Sequence, residues 1–227
     1  MLAKKYKAEI MSIQNPTSGV YTLEFSSPKK FKFAPGEFLH LALDEYDPSS
    51  AWPESRCFSI QTSPQEENIK ITYSVKGAFT KRMENELVTG REVWLKLPFG
   101  DLFTQEHDKN NTVFIAGGTG ITPFLSLFTD NSFAEYSNPN LYLGVRNKDL
   151  HFYHNELKKA KLINQDIQAT VFYQDTDGVI DIEKIYSMHP DAGAFFISGP
   201  PAMIKGFKQY LTGKGVEEDK VKTDDWE

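Results

Sequence analysis

The chain has 227 residues, 40% of them hydrophobic and 25% charged, which is enough apolar length for one large domain or two modest ones and excludes a wholly disordered protein. Its net charge of −6 lies in the second half, since residues 1–105 hold 13 basic and 13 acidic side chains and residues 106–227 hold 12 and 18, so an extended basic face for nucleic acid is excluded. A single cysteine, Cys57, excludes an internal disulfide and a four-thiolate iron–sulfur cluster within the chain.

The start, Met1–Lys7, lacks the apolar run of a signal peptide, and no stretch reaches membrane-spanning length, so a soluble, cytoplasmic chain without membrane insertion is expected. Alternating, closely spaced strand patterns at Val20–Phe25, Glu37–Leu43, Ile69–Val75 and Glu92–Leu97 predict an antiparallel β-barrel. Within it Thr80–Leu87 has helical character, and Gly90 is expected to close that helix. The turn-rich Leu97-Pro98-Phe99-Gly100-Asp101 and the wholly polar Gln105–Asn111 put a boundary between a first domain at 1–105 and a second at 106–227. Beyond it short apolar strands at Thr112–Ala116, Leu141–Val145, Ile167–Tyr173 and Ala194–Ile197 alternate with helical patterns at Pro123–Phe128, His154–Lys161 and Pro201–Leu211. That alternation predicts an α/β Rossmann-like parallel sheet covered on both faces.

The most informative turn is Gly117-Gly118-Thr119-Gly120-Ile121-Thr122-Pro123, directly after the apolar Val113-Phe114-Ile115-Ala116. Ligands of open parallel sheets bind at the carboxyl ends of strands. Thr122 reads as an N-cap and Pro123 as the first helical residue, which would leave unpaired N–H groups for a pyrophosphate, and the glycines would let the backbone approach it. No Gly-Lys-Ser/Thr follows, so this is not a Walker loop, and Pro123 stands where the ordinary GxGxxG has its third glycine. A purely structural tight turn is the alternative reading. Ala194-Phe195-Phe196-Ile197 repeats the arrangement by running into Ser198-Gly199-Pro200-Pro201-Ala202-Met203 and a helix, so two strand ends would make a crevice.

In the first half, Arg56-Cys57-Phe58-Ser59 opens a strand, and Tyr73-Ser74-Val75-Lys76-Gly77-Ala78-Phe79-Thr80 ends another and starts a helix. The order Arg-x-aromatic-Ser, Gly-x-x-Ser/Thr, Gly-Gly-Thr-Gly-Ile-Thr-Pro, Gly-Pro-Pro-x-Met and an acidic-x-aromatic tail resembles the ferredoxin-NADP reductase superfamily over essentially the whole chain. The resemblance implies an FAD-binding barrel, an NAD(P)-binding α/β domain, and a tail that returns to the flavin.

Residue by residue, the resemblance implies that Arg56 clamps the FAD pyrophosphate with a permanently charged, forked donor, while Cys57 and Phe58 lie along the flavin strand. The family usually has Tyr where Phe58 stands. Ser59 would hydrogen-bond near flavin N5 and O4; Tyr73, Ser74 and Val75 would flank the ring; Gly77, Ala78, Phe79 and Thr80 would present donors to the FAD phosphates. Gly117, Gly118, Thr119, Gly120, Thr122 and Pro123, with Gly199, Pro200, Pro201 and Met203, would hold the nicotinamide dinucleotide. Ser198 takes the place of the family's usual Cys beside the nicotinamide, Asp224 that of its usual Glu, and Trp226 that of the tail aromatic. Ser59, Ser198 and Asp224 are therefore the expected reaction-centre residues.

Hydride transfer from nicotinamide to flavin needs no protein acid or base, so catalysis by positioning is expected, with no metal, and the five histidines show no ligand spacing. The family's NADPH users tend to place Ser and Arg after the next two strands to grip the 2′-phosphate; Arg146-Asn147-Lys148 could serve, but Phe172-Tyr173-Gln174-Asp175 puts an acid at the later position, which favours NADH. No sequence feature accounts for the electron acceptor. Three readings stay open: an enzyme reducing a ferredoxin, flavodoxin, free flavin or small oxidant; an electron-transfer subunit docked to an oxygenase or other redox complex; and a degenerate nucleotide-binding module.

Overall fold

The structure, a computed structural model, describes residues 2–224. The strands of the first half are β1 (Lys4–Thr17), β2 (Val20–Ser26), β3 (Phe38–Ala42), β4 (Ser55–Ser59) and β5 (Ile69–Ser74), then helix α1 (Ala78–Glu86) and strand β6 (Glu92–Phe99). They form an antiparallel sheet in the order β4-β3-β6-β1-β2-β5. The sheet curls until its edges meet, because Gln61, two residues past β4, donates its N–H to Lys70 O of β5 at 2.8 Å. Leu23, Leu39, Leu41, Ile60, Ile71, Met83 and Leu95 fill the barrel, each wholly buried, and Phe31 and Phe33 from the β2–β3 connection join the same core.

β1 is not among the strands that the sequence pattern predicts. Its alternation of inward Tyr6, Ala8 and Ile10 with outward Lys5, Lys7 and Glu9 contains an alanine and few β-formers, so the strand rests on pairing with two neighbours rather than on propensity. Gly90 also differs from expectation. α1 ends at Glu86, and Gly90, with φ +85°, donates its N–H to Ile10 O at 2.8 Å and turns the chain into β6 instead of capping the helix.

The second half consists of β7 (Val113–Gly117), α2 (Thr122–Phe128), β8 (Asn140–Val145), α3 (His154–Ile163), β9 (Gln168–Tyr173), α4 (Ile182–Met188), β10 (Phe195–Ser198), α5 (Pro201–Gly213) and β11 (Val221–Thr223). The five strands are parallel in the order β11-β10-β7-β8-β9. β7 reads as an unbroken apolar run because both its faces are covered: Phe114 and Ala116 pack under α2 and α3, while Val113 and Ile115 pack with Phe195, Ile197 and Ile204. Leu102 and Phe103, which precede the polar stretch, already belong to this second core, Phe103 lying 4.9 Å from Phe196 ring to ring. Strand order reverses between β7 and β10, so the topological switch point lies at the carboxyl ends of those two strands. Among the described residues no helix is long and apolar enough to cross a membrane.

Candidate functional site at the domain junction

On the barrel, β4 buries Phe58 in the barrel core and Ser59 against the second domain, and leaves Arg56 exposed. The Arg56 guanidinium lies 5.2 Å from the Phe79 ring centroid, at the first turn of α1, and pairs with Glu54 at 3.2 Å where both side chains are half exposed. The Phe58 ring is 5.9 Å from Tyr73, which stacks on Tyr21 at 5.6 Å, and burial pushes the Tyr73 phenol well above its ordinary value. Cys57 points its thiol at His40, with Sγ 3.5 Å from Nε2, so only its backbone is left to the Phe58 side of the strand. Ser74 and Val75 carry the chain to Gly77, which is extended at φ −148° and whose missing Cβ would meet only open space. The Thr80 hydroxyl accepts from the N–H groups of Lys76 at 2.9 Å and Gly77 at 3.1 Å and so fixes this loop itself. The backbone N–H groups of Ala78, Phe79 and Thr80 begin a helix and have no intrahelical acceptor. Space, donors and a cation thus meet at the start of α1, which fits a diphosphate.

At the switch point the helix begins differently from expectation. A short 3-10 helix covers Gly118–Ile121, and Thr122 is already helical at φ −56°, ψ −43°, so it is not the N-cap and Pro123 is not the first helical residue. The Thr122 side chain is buried and donates back to Thr119 O at 2.9 Å. The glycines also have a different use. A Cβ on Gly120 would sit 2.6 Å from Gly199 Cα, and one on Gly117 would sit 2.7 Å from Pro200 Cδ and 3.1 Å from Met203 Sδ. Close approach here is between the two strand-end loops, which Gly117, Gly120 and Gly199 let touch; Gly118, at φ +57° with nothing near, faces open space. Pro200 and Pro201 then start α5, Pro200 O accepting the Met203 and Ile204 N–H groups.

One and two strands out from β7, Arg146 follows β8 and Asp175 follows β9, both exposed, with the Asp175 N–H donating to Arg146 O at 3.1 Å. The rings of His151 and His154 lie 4.2 Å apart and tilted, and among the described residues no three His, Cys, Asp or Glu side chains gather as metal ligands would.

The two halves meet at Asp224. β11, which no sequence pattern marked because it is three residues long, pairs parallel to β10, and Asp224 continues it by donating its N–H to Ile197 O at 3.0 Å. One carboxylate oxygen of Asp224 then accepts from Ser198 at 3.0 Å and from Ser59 at 3.3 Å. Ser198 is 2% and Ser59 8% exposed, so the bridge joins two buried hydroxyls, one from each sheet. Trp226 lies outside the described residues.

A barrel joined to a parallel sheet with glycine turns at its switch point defines the class of two-domain flavin and dinucleotide oxidoreductases. An FAD-binding domain family matches residues 5–131, and an oxidoreductase NAD-binding domain family matches residues 114–209. The chain is 24% identical to the flavohemoprotein of Rhizobium meliloti (strain 1021), the match covering 93% of this chain and 58% of that protein. It is 25% identical to the reductase component of propane 2-monooxygenase from Mycolicibacterium smegmatis, over 95% of this chain and 66% of that protein. A ferredoxin NADP+ reductase from Neisseria gonorrhoeae with bound FAD and NADP superposes with a TM-score of 0.79 at 17% identity, covering 99% of this chain and 98% of that one. The chain belongs to the ferredoxin-NADP reductase-like family of FAD-binding oxidoreductases. It spans less than two thirds of the length of the curated relatives just named.

Three substitutions test this geometry. Gly120→Ala forces a methyl group into the Gly199 backbone and is expected to destabilise the chain by about 1–3 kcal/mol in urea denaturation, whereas Gly118→Ala meets no neighbour and is expected to cost about 1 kcal/mol, through the left-handed backbone at φ +57° alone. Asp224→Ala leaves the Ser59 and Ser198 hydroxyls without their shared acceptor, for an expected loss of about 1–3 kcal/mol by the same measurement.

Proposed function

We propose that this chain holds FAD against its barrel and a nicotinamide dinucleotide at the switch point of its parallel sheet, and that it works as an NAD(P)H-dependent flavin oxidoreductase delivering electrons to a separate acceptor. The observation that carries the reading is the meeting of Ser59 and Ser198 on one Asp224 oxygen, which brings the ends of the two sheets to a single point. Bound FAD would supply the redox chemistry that links a two-electron nicotinamide donor to an acceptor.

Arg56 and the backbone N–H groups of Ala78, Phe79 and Thr80 hold the diphosphate; the exposed Glu54 contact gives Arg56 up at little cost. Phe58 and Tyr73, with the Ser74–Val75 backbone, form the wall for the flavin ring. Gly118 and Thr119 offer the open part of the switch-point turn to the dinucleotide, while Gly117, Gly120, Gly199 and Met203 set its depth. Asp224 orders the Ser59 and Ser198 hydroxyls where the two rings meet, so the chain's contribution is position and exclusion of water rather than acid–base chemistry.

NADH is the preferred donor in this reading. Asp175 stands beside Arg146 at neighbouring strand ends, where a carboxylate repels a 2′-phosphate and accepts from a ribose hydroxyl. The acceptor is an oxygenase or the electron carrier that serves one, a choice supported by relatives that are reductase components of monooxygenases.

The purified chain is expected to be yellow, to yield FAD on denaturation, and to bleach without oxygen faster with NADH than with NADPH. Colourless protein that cannot be reconstituted with FAD would overturn the reading. Arg56→Ala is expected to weaken FAD binding about tenfold, measured by fluorescence on titrating FAD into stripped protein. Asp175→Ser is expected to raise NADPH use relative to NADH in steady-state kcat/KM, and an unchanged ratio would contradict the assignment of that position.

A further inference from the structure

The segment that follows Ser59 makes a second, wholly different junction with the parallel-sheet domain. Ser63 donates to Asp130 Oδ2 at 2.9 Å, and Ser126, in the middle of α2, donates to Thr62 O at 2.7 Å. All four residues are buried, Ser63 and Ser126 completely. The other Asp130 oxygen accepts the N–H and hydroxyl of Ser132 at 2.9 and 2.7 Å, so the carboxylate is itself locked. Gln61 extends the seam by donating to Glu156 at 3.1 Å while accepting from Thr72 of β5 at 2.6 Å.

The Ser63–Asp130 pair adds little net stability over a packed apolar contact, because a hydrogen bond made on folding replaces bonds to water, while Ser126 satisfies a buried backbone carbonyl that no apolar side chain could. What directional bonds add is register. Thr62 and Ser63 lie three and four residues beyond Ser59, and Ser126 lies four beyond Thr122, at the other end of the 3-10 and α-helical run that starts in the glycine turn. A displacement at the seam is therefore carried by one short strand end to the flavin side and by one buried helix to the dinucleotide side.

Resting on the function proposed above, we infer that the Ser63–Asp130 and Ser126–Thr62 bonds set the distance between the dinucleotide turn and the flavin strand, with Ser126 and Asp130 as positioning residues. They touch neither cofactor; they act through α2.

The test uses the FAD-loaded chain and its Ser63→Ala/Ser126→Ala variant, with Lys159→Ala, which removes only the exposed pair to Glu66, as control. Bleaching in a single anaerobic turnover at saturating NADH is expected to slow by about tenfold to a hundredfold in the double variant, the scale of an ångström-size misplacement, with the half-saturating NADH concentration little changed. Amide hydrogen exchange in segments 60–66 and 122–130 is expected to rise, and the control to match the parent in every measurement. Faster exchange with unchanged bleaching would reduce the seam to a structural contact and overturn the inference, as would no change in either. A parent chain that binds FAD and NADH but does not bleach would instead remove the functional reading on which the inference rests. Should the double variant release its FAD, the single Ser126→Ala is read by the same two measurements.

Discussion

Two hydroxyls from two different sheets share one carboxylate oxygen, and much of the rest of the molecule serves to make that possible. Ser59 reaches the point at the end of β4, Ser198 at the end of β10, and Asp224 only because a three-residue strand extends the parallel sheet beyond β10. Each of the three is an ordinary polar residue at a strand end. Their convergence requires that the barrel's open end sit against the carboxyl edge of the sheet, which is also where open α/β sheets bind their ligands.

The glycine-rich turn has a double use that its sequence does not distinguish. A glycine can be required for conformation, for approach to a ligand or for approach to another part of the chain, and all three look alike in one dimension. In the structure Gly117 and Gly120 give way to the neighbouring loop, and Gly118 alone of the turn combines a positive φ with free space. The same ambiguity affected Thr122, whose hydroxyl looked like a cap and instead closes the preceding turn.

Elements with clear periodicity or strong turn punctuation are legible: β2, β3, β5, β6, the buried strands of the parallel sheet, α1, α2, α3 and α5 fall within a few residues of where pattern places them. β1, α4 and β11 are not, because β1 pairs through a sparse alternation and the other two are short pieces stabilised by what they pack on. The order of motifs from Arg56 to Met203 carries the family resemblance in sequence alone. Contacts that depend on three-dimensional coincidence were out of reach: nothing about Ser63, Ser126 or Asp130 in sequence marks them as neighbours, since serine and aspartate are commonplace in turns. Charge told a partial story. The excess acid of the second half means that a dinucleotide must be attracted by local backbone donors and not by the field of the domain.

The central claim is that these two halves bring a nicotinamide directly onto a flavin. NADH carrying deuterium at C4, on each face in turn, tests it in the anaerobic bleaching of the FAD-loaded chain. Direct transfer across a fixed junction predicts slower bleaching with one deuterated face and no change with the other. Equal bleaching rates with both labels and with unlabelled NADH, in a reaction where chemistry limits the rate, would contradict it.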